Sequence, residues 1–245
     1  MAETTTSRLG GSRPAILDGW RLDAVVTALS VLMVLGIALD FRAHASGISF
    51  AEEGFLTPEH AFFYSMFLGI AAVIGARTII DRRDGRSWID AIPAGYGAGA
   101  LGVLLFGFGG VGDFLWHSTF GFEQGTEALI SPTHLMLAVG AGLFLSSPAR
   151  ATWRRADVTS GIRTLPAVIA GGLVLTIAVF FTGYSNPIMQ PLASVEGGFG
   201  LSLGITGFIV FPALLVGAAL LYGRRFSLPL GAYTLLFVLR LTGLL

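Results

Sequence analysis

The chain has no cysteine and no lysine, and only 12% of its 245 residues are charged. The missing cysteine excludes disulfides, thiolate metal ligands and iron–sulfur clusters. Charge is about half of what a soluble domain of this size carries, which is about 25%. With 53% hydrophobic residues and a mean hydropathy of +0.76, that deficit excludes an ordinary soluble fold. Arginine is the only cation beside histidine, acids and bases balance to a net charge of +0, and no basic stripe points to a nucleic acid. The apolar runs are continuous and do not alternate, which argues against a β-barrel. Glycine is abundant, and 95–113 is especially dense in it. No strand precedes that run, so no nucleotide cofactor is expected. Small residues at this density predict tight helix packing.

Seven apolar stretches approach the ~18–20 residues that cross a bilayer. They run at about 21–40, 58–80, 89–117, 132–145, 164–184, 201–222 and 228–245. The expected fold class is therefore all-α, a polytopic transmembrane helical bundle of about seven spans. Residues 1–18 form a mostly polar tail, and 19–245 a single transmembrane domain. The tail lacks the short apolar core of a cleavable signal, so the first span is expected to serve as an uncleaved anchor. Of the fifteen arginines, only Arg42 and Arg240 fall on one side of this map. The positive-inside rule then puts the N-terminus in the cytoplasm of a cell bounded by the plasma (inner) membrane. The lipid bilayer is the expected partner, with partner membrane subunits as a further possibility.

Two polar stretches at the other side are twins. Residues 40–60 read DFRAHASGISFAEEGFLTPEH, and 113–134 read DFLWHSTFGFEQGTEALISPTH. Asp40 matches Asp113 and His44 matches His117, 73 positions apart. After one inserted residue, Glu53 matches Glu127, Thr57-Pro58 matches Ser131-Pro132, and His60 matches His134. All four histidines of the chain stand in these twins. A third, degenerate copy follows, with Asn186 and Gln190 for the Asp and His, and Glu196 ahead of the next span. The pattern predicts tandem helical hairpins of about 73 residues, at about 19–85, 86–160 and 161–225, with a last span at 228–245.

Asp-x3-His puts both side chains on one helix face, a turn apart. Thr57 and Ser131 read as N-caps, Pro58 and Pro132 as first helical residues, and His60 and His134 as third. The positive end of a helix disfavours imidazolium and keeps these rings in the neutral form that binds metal. The predicted metal ligands are His44, His60, His117 and His134, with Asp40, Asp113, Glu53 and Glu127. Glu123, Glu196, Asn186 and Gln190 are supporting candidates. The set suits a transition metal, iron, zinc, copper or manganese, in one dinuclear or two mononuclear sites. Ordinary capping explains Ser/Thr-Pro alone, but not the coincident acids and histidines.

Asp-x3-His at the end of one span, followed by a histidine on the next, resembles the metal site of the C subunit of copper membrane monooxygenases. On that resemblance Asp113, His117 and His134, or Asp40, His44 and His60, are the matching residues. It raises copper in the list of metals, so that copper or iron is expected ahead of zinc, and it implies an oxidase or monooxygenase reading, or a subunit of such an enzyme. Three alternatives stand beside it. They are a metal or proton transporter or relay, a zinc-type membrane hydrolase, and a haem carrier using paired histidines. The first is disfavoured because the spans are apolar beyond the polar ends.

Overall fold

The computed structural model describes residues 17–45, 57–121, 130–183 and 198–241. Among them there are helices and turns but no strand. The helices are α1 (Gly19–Ala45), α2 (Pro58–Arg83), α3 (Trp88–Ala91), α4 (Gly97–Phe120), α5 (Pro132–Leu145), α6 (Ser147–Arg154), α7 (Leu165–Phe181), α8 (Gly198–Arg225) and α9 (Leu230–Leu241). Six stretches are long and apolar enough to cross a membrane: Gly19–Ala43, Pro58–Arg83, Gly97–Phe120, Pro132–Arg154, Ile162–Phe181 and Ile205–Arg225.

Two expectations shift. The stretch at 89–117 is broken near its start, because Pro93 and Gly95 (φ +95°) turn the chain between α3 and α4. At Gly95 a side chain would run into the Ala151 backbone at 2.5 Å. The seventh stretch appears as α9, whose 12 described residues rise about 18 Å. Residues 242–245 lie outside the described ones.

α1 and α2 pack as one hairpin, and α4 and α5 as another. α7 is the most buried of the six candidate spans and packs against α1, α5, α6 and α9. α8 is the least buried and turns most of its apolar surface outward. The core is aromatic where the hairpins meet. Phe67 of α2 stacks on Phe106 of α4 at 4.6 Å, and Phe106 meets Phe144 of α5 edge-on at 5.6 Å.

Glycine sets the approach within each hairpin. A side chain at Gly140 would lie 2.7 Å from the Phe106 nitrogen and 2.9 Å from the Gly102 oxygen, so the backbones of α4 and α5 touch. Gly140→Ala is expected to cost about 1–3 kcal/mol through overpacking, read as a lower thermal midpoint of the detergent-solubilised chain. In the first hairpin, a Cβ at Gly36 would lie 2.8 Å from that of Phe63. In the second, one at Gly109 would lie 3.1 Å from the Leu137 side chain. Gly36 and Gly109 each stand one helical turn before an aspartate, Asp40 and Asp113.

The arginine-rich end is held by buried ion pairs. Asp23 of α1 is 1% exposed. It accepts hydrogen bonds from the Tyr96 hydroxyl at 2.8 Å and the Thr152 hydroxyl at 3.4 Å, and pairs with Arg155. Burial pushes the Tyr96 phenol up, so it stays a proton donor. Asp23 thereby joins α1 to the start of α4 and the end of α6. Arg77 and Asp81 pair within α2, and Arg225 closes α8 on the carbonyls of Trp153 and Arg155.

Candidate metal centre

The second twin converges. Asp113 sits on α4, 2% exposed, facing α5. His117, one turn on, brings Nε2 to 3.4 Å from Asp113 Oδ1. His134, at the third position of α5, brings its own Nε2 to 3.4 Å from the same oxygen. One donor atom from each of the three lies within 4.8 Å of the others. Donors about 2.05 Å from one ion, set tetrahedrally, are about 3.4 Å apart. The two Nε2–Oδ1 distances, each 3.4 Å, match that spacing.

The rings are aimed by their other nitrogens. His117 Nδ1 stands 3.1 Å from the Gly121 carbonyl, which can only accept, so Nδ1 carries the hydrogen. The same turn ends α4, with Gly121 at φ +79°. His134 Nδ1 stands 2.8 Å from Ser131 Oγ. Ser131 is also the N-cap and accepts from the His134 backbone N–H at 3.4 Å. Both Nε2 atoms therefore face Asp113. A neutral His117 turns an Nε2 lone pair toward a carboxylate oxygen, an arrangement that calls for a proton or a metal ion between them. Partners on the far nitrogen are how proteins fix the tautomer and direction of a metal-binding histidine. Thr133 Oγ1 donates to Asp113 Oδ1 at 2.9 Å and steadies the carboxylate.

The first twin is arranged differently. Thr57 caps α2, and its hydroxyl accepts from the His60 backbone N–H at 3.1 Å. His60 turns Nδ1, not Nε2, to Asp40 Oδ1 at 2.8 Å, and the same nitrogen lies 3.2 Å from Thr57 Oγ1. This is a carboxylate–imidazole pair. His44 belongs to the last turn of α1, and its side chain lies outside the described residues. Glu53, Glu123, Glu127, Asn186, Gln190 and Glu196 also lie outside them. Among the described residues, Asp113, His117 and His134 form the cluster of three possible metal donors.

Two contributors escaped sequence reading. Thr133 hides between the capping proline and the histidine. Tyr64 follows His60 by four residues, so i, i+4 spacing on α2 is the signal that could have found it. Its ring centroid is 6.1 Å from that of His60. The interfacial aromatics near the site stack on each other, Trp116 on Phe120 at 4.7 Å. No family model, curated protein or solved structure matches this chain.

Proposed function

We propose that the chain is an integral membrane metalloprotein with a mononuclear centre held by Asp113, His117 and His134. The observation that carries this is the convergence of two imidazole Nε2 atoms, each 3.4 Å away, on one oxygen of a buried carboxylate. Three protein donors leave a coordination position open, as catalytic metal sites do and closed structural sites do not. Two histidines and one carboxylate suit non-haem iron, and the resemblance to the copper monooxygenase subunit favours copper. The metal supplies redox or Lewis-acid chemistry, and the preferred reaction is oxidation of a small or lipid-phase substrate. A zinc-type hydrolysis uses the same open position. The arginine bias puts this centre at the outer face of the plasma membrane.

Duplication explains why a second polar pair exists. The glycine-on-neighbour contacts support it: Gly36 against Phe63 and Gly109 against Leu137 are separated by 73 and 74 positions, the same offsets as the acids and histidines. A second reading, proton handling, is favoured at the first twin by the 2.8 Å Asp40–His60 pair.

The test is elemental analysis of the full chain purified in detergent, before and after incubation with copper, iron or zinc. About one equivalent per chain is expected. Protein that stays metal-free under all three conditions overturns the reading and leaves proton handling in its place.

A further inference from the structure

Tyr64 stands between the twin sites. It lies one turn into α2 from His60, and its ring packs on Phe63 at 4.5 Å and on Phe106 of α4 at 6.1 Å. The phenol reaches α4 because residue 110 is glycine. A Cβ there would lie 2.9 Å from Tyr64 Cε1 and 3.0 Å from its hydroxyl oxygen. Asp113 is three residues beyond Gly110, on the same helix face. Helical side chains lean toward the N-terminus, so the Asp113 carboxylate lies over the turn that Gly110 opens. A phenol hydroxyl from a third helix thus lies against α4 about one turn before Asp113, above an apolar aromatic floor.

We infer that Tyr64 forms the ligand-recognising wall of the metal centre, donating a hydrogen bond to a small oxygen- or nitrogen-donor anion held at the open position of the metal. The inference rests on the metal reading. The site selects for size as well as charge: Phe63, Phe67 and Phe106 fill the space beneath the phenol and leave no polar partner for a larger head group among them.

The experiment loads the full chain in detergent with Co²⁺ and titrates azide, following the visible absorption of the metal. Tyr64→Phe is expected to bind Co²⁺ within about twofold of wild type and azide about tenfold more weakly, the loss of one hydrogen bond to a charged group. Gly110→Ala, which keeps the hydroxyl but displaces the ring, is expected to weaken azide in the same direction. Equal azide affinity in wild type and Tyr64→Phe overturns the inference while leaving the metal centre intact. Loss of Co²⁺ from Tyr64→Phe also overturns it, since Tyr64 then holds the metal and not its ligand. Failure of the wild type to bind Co²⁺ or any other metal removes the centre itself, and this inference with it.

Discussion

Asp113→Asn is expected to lower metal affinity by more than about 100-fold, because even partners behind the ligands are worth 10–100-fold. The substitution keeps shape and volume but removes the charge that both imidazoles face. His117→Ala and His134→Ala are expected to do the same, since each deletes one of three donors. Asp40→Asn separates the mononuclear centre from a dinuclear one. If Asp113, His117 and His134 act alone, Asp40→Asn changes affinity by no more than a few-fold. A loss as large as that of Asp113→Asn would join the two hairpins in one centre. Isothermal titration with the metal found by elemental analysis reads both. Acid should weaken binding in wild type as well, because the metal competes with protons for the two imidazoles.

Removing the charge at Asp23 is expected to produce the largest loss of stability. Asp23 lies at the arginine-rich end, remote from the candidate metal centre, and accepts from Tyr96, Thr152 and Arg155. Asp23→Ala leaves the Arg155 guanidinium beside a buried void without its carboxylate. Breaking a buried ion pair from one side costs about 3–5 kcal/mol. Asp23→Leu combined with Arg155→Met should recover much of that loss, since an apolar replacement of the whole pair has no stranded charge. Thermal unfolding in detergent measures both variants. Metal stoichiometry at low temperature should stay unchanged, because the ion pair joins α1, α4 and α6 at the end away from the histidines. A single variant equal to wild type in stability would show that the pair is not a clamp.

Helix ends were the most legible part of the chain. Thr57-Pro58 and Ser131-Pro132 start α2 and α5, and the capping bonds to His60 and His134 are as the sequence predicts. Caps depend on neighbours three residues away, so local sequence decides them. The break before α4 was less legible. Hydrophobicity runs through 89–117, and only Pro93 with Gly95, against the close Ala151 backbone, stops the helix there. The role of Asp23 was hidden for a related reason. Its partners lie 73 to 132 positions away, beyond the reach of any local pattern.

From the sequence alone came the membrane-like composition, the helical spans, the paired Asp-x3-His runs and the histidines at helix starts. These follow from composition and from spacing within a few residues, where helix geometry leaves little choice. Only the tertiary structure decided that His117 and His134 both aim Nε2 at one oxygen of Asp113, while His60 turns Nδ1 to Asp40. It also brought Tyr64 to the gap at Gly110. Those outcomes depend on how closely α2, α4 and α5 approach, and that approach is set by glycines and aromatic rings on different helices. No short stretch of sequence contains both sides of such a contact.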